Sequence, residues 1–187
     1  EIVAESNVKP SSAAFLRFAI ATIILLCVLR AAEGKFPRVR RKQIIPILLL
    51  GLTGVFAYNM CFFRALKTVH ADRAALIIAS MPAVMAWCSR VLFREQLGLL
   101  RVGGIVLSIA GAVVVLSKGS LQALFDGAVG PGELLVLGCV ASWSAYSLIG
   151  KRVMDDMSPI TAVTYSAVVG TLALLPAACA EGFPGEV

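Results

Sequence analysis

From Ile44 to Phe63 the chain reads IIPILLLGLTGVFAYNMCFF, twenty positions without a charged side chain. A helix rises about 1.5 Å per residue, so a run of this length crosses the ~30 Å hydrocarbon core of a bilayer. A surface helix of a soluble protein keeps one polar face over such a distance, and this run keeps none. Similar runs recur and predict six membrane-spanning helices, at about 12–30, 44–63, 74–93, 97–117, 133–150 and 158–180. Gly34, Pro37, Gly119, Gly127, Gly130, Pro131 and Pro159 mark the junctions, as turn residues do. The expected fold class is an all-α polytopic membrane protein. Its longest connector, 118–132, divides residues 1–117 from 133–187.

The pattern contains a faint internal repeat. Residues 10–27 overlay residues 159–176 with five identities in eighteen positions: Pro10/Pro159, Ala13/Ala162, Thr22/Thr171, Leu25/Leu174 and Leu26/Leu175. The first span then corresponds to the sixth, and the fifth corresponds to a helix upstream of residue 1. Five spans per unit is an odd number, so two units in one chain lie in opposite orientations, the inverted-repeat arrangement of many transporters. Residues 1–11 are polar and do not read as a signal peptide, which adds to the expectation of an upstream helix.

Charge gives the expected sidedness. Lysine and arginine number 17, and eleven of them belong to the 31–43, 90–101 and 151–157 loops, counting Arg30 with the first. The positive-inside rule assigns these loops to the cytoplasm, and a bacterial inner membrane is the expected location. Composition agrees with membrane residence: 59% of residues are hydrophobic and 15% charged, with a mean hydropathy of +0.89. The net charge of +6 therefore reflects basic loops rather than nucleic-acid binding, because no basic face interleaved with aromatics lies outside the spans. Cys27, Cys61, Cys88, Cys139 and Cys179 fall within apolar runs and read as small hydrophobes, not as disulfides or metal ligands. No Ser/His/Asp set, metal-ligand cluster or phosphate loop is present, so neither enzyme chemistry nor a cofactor is expected. His70, the sole histidine, reads as a loop residue beside Asp72.

The stretch from Gly51 to Ser117 resembles the EamA family of the drug/metabolite transporter superfamily. The resemblance rests on Tyr58, Phe62, Ala65 and Leu66, then Pro82 inside a helix, then Glu95 before Gly103, Gly104 and Gly111. The FLRF around Arg17, the Gly132-Glu133 pair, Trp143, Tyr146 and Lys151 extend it over essentially the whole chain. It implies ten helices built as two inverted five-helix repeats, with both termini cytoplasmic and a central cavity walled by both halves. Against that pattern the chain holds helices two to seven. One departure is Arg94, where a glycine usually precedes the glutamate.

The candidate substrate-binding residues are Arg17, Tyr58, Asn59, Ser80, Met81, Met85, Trp143, Tyr146 and Tyr165. A mid-span phenol or amide needs a polar partner or water, so Tyr58, Asn59 and Tyr146 suit either a cavity wall or a helix contact. Tyr165 suits a cavity or the membrane interface; Trp143 suits a flat apolar substrate, and Trp87 an interfacial anchor. Arg17, taken to lie in the opening turn of its span, either snorkels to the headgroups or attracts anionic substrates. Pro82 removes a backbone donor and kinks its helix, as a gating hinge or as static shaping. The stripes Gly51–Gly54–Tyr58–Cys61–Ala65 and Gly138–Ser142–Tyr146, and the glycines Gly103, Gly104 and Gly111, read first as helix packing, the last group within the chain or between subunits. Glu95, with Arg94 or Arg101, reads as a lock on its turn.

These features lead to an exporter or facilitator of small metabolites, amino acids or amphipathic drugs, working by alternating access around a midplane cavity. Its partners are the lipid bilayer, a small-molecule substrate and a second copy of the chain as a homodimer. One alternative is a truncated or non-transporting membrane protein that assembles with a partner subunit. A weaker one is a nucleotide-sugar or sugar-phosphate exchanger, which would need basic residues at mid-depth.

Overall fold

The computed structural model describes residues 10–94, 98–117 and 130–180, and every regular element among them is a helix. Helix α1 is Pro10–Glu33 and α2 is Arg41–Leu50. A π-helical segment, Gly51–Ala57, joins α2 directly to α3, Tyr58–Ala65. Then follow α4 (Ala71–Ala79), α5 (Met81–Phe93), α6 (Leu99–Ser117), α7 (Pro131–Val153) and α8 (Pro159–Ala180). Five stretches are long and apolar enough to cross a membrane: Ser12–Glu33, Arg41–Ala65, Arg73–Phe93, Pro131–Val153 and Pro159–Ala180. They match five of the six expected spans. The fourth expected span coincides with α6, whose apolar stretch is Val102–Gly111.

The helix ends follow local chemistry. Helices α1, α7 and α8 each begin on a proline, whose fixed φ and missing N–H suit the first helical position. At the start of α7, the Glu133 carboxylate reaches back to accept the Gly130 N–H at 3.0 Å. At the start of α2, Gln43 Oε1 accepts the Arg40 N–H at 2.8 Å. Gly34 ends α1 at φ +68°, and Arg94 ends α5 in the same left-handed region at φ 54°.

The chain forms two compact units. The first is made of residues 1–60 and 145–187, the second of residues 61–144. This partition differs from the two sequence repeats, whose connector falls largely outside the described residues. In the first unit α8 is central. Its covered face is small and hydroxylic, with Thr161, Ala162, Thr164, Ser166, Ala167, Gly170 and Thr171 all buried. Many large aliphatic side chains lie outside, among them Ile20, Ile23, Ile24, Ile45 and Leu172, while Leu29, Leu50 and Leu174 are buried. Acyl chains solvate such side chains as well as a protein core does, so packing is left to small residues that allow close backbones.

Helix α8 runs antiparallel to α1. Glu33 near the end of α1 meets Ser158 and Thr161 at the start of α8, and Thr22 bonds Thr171 between hydroxyls 2.9 Å apart. Against the π-helical segment the approach is closer. A Cβ on Gly51 would lie 2.7 Å from the Ser166 carbonyl oxygen, and one on Gly170 would lie 2.9 Å from the Gly51 carbonyl.

In the second unit, Ala65, Val69, Ala74 and Val136 form a buried cluster, with Ile77, Ile78 and Leu135 against it. Arg73 Nη1 pairs with Glu133 Oε1 at 3.1 Å, tying the start of α4 to the start of α7. The third expected span is two helices rather than one. Ser80 ends α4, Pro82 lies in the first turn of α5, and the Ser80 hydroxyl donates to the Ile77 carbonyl at 2.6 Å. Proline has no N–H for the carbonyl four residues back, so the helical ladder is interrupted at this point.

Candidate functional site

The polar side chains of the first unit form two groups. The deeper one centres on Asn59, which is 1% exposed. Its amide nitrogen donates to the Val55 carbonyl at 2.6 Å, and its oxygen accepts Arg17 Nη2 at 3.5 Å. The Arg17 guanidinium also lies over the Phe18 ring, 4.9 Å from the centroid, a cation–π contact. Arg17 is the eighth residue of α1, about 10 Å along the helix from its start. The apolar stretch starts at Ser12, so Arg17 is its sixth residue, in the second turn rather than the opening one expected from sequence.

The other group gathers at the opposite end of α1. The Glu33 carboxylate accepts hydrogen bonds from Ser158 and from Thr161 at 3.2 Å. Tyr165 donates its hydroxyl to the Pro37 carbonyl at 2.7 Å. Lys42 Nζ pairs with Asp156 Oδ2 at 3.0 Å, and Gln43 Nε2 donates to the Asp156 carbonyl at 3.1 Å. The connector after α7 is thereby fastened to the end of α1 and the start of α2, and the connector after α1 to α8. Tyr165, a candidate substrate residue, has its phenol engaged by this loop.

Among the other candidates, Tyr58 and Tyr146 belong to the first unit and are half-buried. The Tyr146 ring fills the space beside Gly54, where a Cβ would collide with it. Ser80, Met81, Pro82, Met85 and Trp143 belong to the second unit. Ser80 is bonded to its own helix, Met81 and Met85 are half-buried, and Trp143 is 38% exposed. The structure therefore joins Arg17 to Asn59 and sets Tyr146 against the helix that carries Tyr58 and Asn59.

The glycine stripes separate. Gly51 and Gly54 pack within the first unit, and Gly138 packs against Cys61 within the second. A Cβ at Gly103, Gly104 or Gly111 meets nothing within 4 Å, so packing of these three within the chain has no partner among the described residues. Glu95 lies outside the described residues, as does the side chain of Arg101. Two buried hydroxyls that sequence reasoning passed over, Ser144 and Thr164, find no hydrogen-bond partner among the described residues. Nothing in their spacing distinguishes them from packing serines and threonines. No group of three or more His, Cys, Asp or Glu able to hold a metal occurs among the described residues.

Comparison with known proteins places these features in a family. The family model of the EamA-like transporter family matches residues 2–117 and 130–186. Uncharacterized transporter YyaM of Bacillus subtilis is 29% identical over 167 residues, covering 89% of this chain and 55% of that protein. The S-adenosylmethionine/S-adenosylhomocysteine transporter of Chlamydia muridarum is 30% identical over 173 residues, covering 88% and 54%. The aromatic amino acid exporter YddG of Ancylobacter novellus is 31% identical over 111 residues, covering 59% and 39%. The chain thus spans about half the length of the relatives that it matches over most of its own length. No solved structure matches it. Its apolar spans, its burial of small and hydroxylic residues beneath exposed aliphatic ones, and a family match over nearly all positions agree: the chain is an integral membrane protein that belongs to the EamA-like transporter family.

Proposed function

We propose that the complete protein moves small organic metabolites of the amino-acid or amphipathic-drug type across the membrane, by alternating access around a midplane cavity. The observation that carries this reading is the Arg17–Asn59 pair. Arg17 lies five residues into the stretch Ser12–Glu33 and is held to a buried amide, and an intramembrane charge with a named partner marks a substrate pathway in this reading. A guanidinium beside a carboxamide suits a carboxylate, and Tyr58 and Tyr146 of the same unit add flat apolar surface suited to a ring. The named cargoes of two relatives, aromatic amino acids and S-adenosylmethionine, both join an α-amino-acid group to a flat ring system. Pro82 and the interruption at Ser80 serve as the hinge in this reading. The basic connectors 31–43, 90–101 and 151–157 face the cytoplasm of a bacterial inner membrane.

The test is counterflow into proteoliposomes holding the complete protein, with amino acids and amphipathic metabolites as cargo. Arg17→Gln is expected to lower uptake of a carboxylate-bearing cargo about 10- to 100-fold, the size of losing a charge-assisted hydrogen bond. Expression should be unchanged, and Arg17→Lys should recover part of the activity. A wild-type protein that moves no member of the panel would favour the non-transporting membrane subunit instead.

A further inference from the structure

The first unit contains a cleft of about 300 Å³ away from the Arg17–Asn59 pair. Its floor is the buried Gln43 and Val153. Its walls are Pro46, Leu49 and Ile149, and its charged rim is Lys42, Arg152 and Asp156. Lys42 and Gln43 occupy the first turn of the span Arg41–Ala65, and Arg152 and Val153 the last turn of the span Pro131–Val153. The charges therefore stand where the apolar runs begin, at headgroup depth. Leu49 lies seven residues further along its helix than Lys42, about 10 Å deeper. The cleft is polar at its headgroup end and apolar toward the bilayer interior.

Its charge is unbalanced. Lys42 is paired with Asp156, while Arg152 is exposed and makes no hydrogen bond or ion pair among the described residues. Two cations and one carboxylate leave a net charge of +1 around the cleft. We propose that this cleft is a binding site for one phosphatidylglycerol molecule, with its phosphodiester between Arg152 and Lys42 and its first acyl segment along Leu49 and Ile149. Basic pockets between membrane helices hold anionic headgroups through this combination of charge and depth. A zwitterionic lipid brings no net charge to offset the +1, and free phosphate has no use for the apolar wall. The site does not depend on transport activity.

The experiment is a lipid titration of the complete purified protein by native mass spectrometry, with phosphatidylglycerol, phosphatidylethanolamine and inorganic phosphate as separate probes. Arg152→Gln is expected to weaken phosphatidylglycerol binding about fivefold and Lys42→Gln/Arg152→Gln about thirtyfold, each basic residue near the surface contributing about one such factor. Arg152→Lys should retain most of the binding. Asp156→Asn, which raises the net charge, should tighten it, an effect opposite to that of simple structural damage. Arg38→Gln/Arg41→Gln removes two charges from the same connector region outside the lining and should leave the one-lipid affinity within twofold. An equal loss in that control would make the attraction diffuse and overturn the site. Equal binding of phosphatidylethanolamine, or displacement by millimolar phosphate, would overturn the lipid assigned to it. If the double variant does not fold, the single Arg152→Gln still decides the matter, since unchanged affinity there also overturns the proposal.

Discussion

Arg94 holds a φ of 54°, in the left-handed region where a side chain other than glycine is disfavoured by about 1–2 kcal/mol. The EamA resemblance singles out this position as one where glycine is usual, and the conformation supplies the physical reason. Arg94→Gly is therefore expected to raise stability by about 1 kcal/mol, seen as a higher unfolding temperature in detergent. At Gly34 the backbone is equally left-handed and glycine is already present. Individual residues were legible in sequence to differing degrees. The need of Asn59 for a partner followed from its chemistry, but the identity of that partner did not, because Arg17 lies 42 positions away. Lys42 and Asp156, 114 positions apart, are the same case. Spacing along one helix cannot report which helix comes alongside.

Helices were the most legible level, because apolar runs bounded by charge, proline and glycine fix where a span starts and stops. Winding was less visible. The stripe Gly51–Gly54–Tyr58–Cys61–Ala65 assumes one face at 3.6 residues per turn, yet Gly51–Ala57 is π-helical, which widens the turn. Gly51 then meets α8 while Gly54 meets Tyr146 on α7. No residue type announces such a segment; the close approach of α8 accompanies it. Gly51→Ala and Gly170→Ala each place a methyl group against backbone oxygen within 3 Å, so each is expected to cost about 1–3 kcal/mol in detergent unfolding. The start of α7 offers a second check on elements. Glu133 accepts the Gly130 N–H and pairs with Arg73. Its replacement by alanine should cost about 1–2 kcal/mol, with glutamine recovering the backbone bond alone.

At the scale of the molecule, the 10–27/159–176 overlay can be set beside the packing of its two segments. Helices α1 and α8 run antiparallel, and the residues that touch through their hydroxyls, Thr22 and Thr171, are equivalent positions of the overlay. Two like segments that cross in opposite directions with equivalent residues in contact are related by a local two-fold axis through that contact. A double-mutant cycle on Thr22→Val and Thr171→Val is expected to show a coupling of about 0.6 kcal/mol, the average for hydroxyl and amide bonds between membrane helices. A coupling of zero would mean that the two hydroxyls meet without bonding.

The axis also restricts what can stand on it. Wherever two copies of one segment are joined by such a rotation, the residue at the centre faces its own duplicate and must be complementary to itself. Lysine would repel lysine there and aspartate would repel aspartate, whereas a hydroxyl both donates and accepts a hydrogen bond and can close the contact from either side. Threonine at both positions meets that condition. A single α1-type segment carrying it has the chemistry to pair with an identical segment, without a second, different sequence to complete the contact.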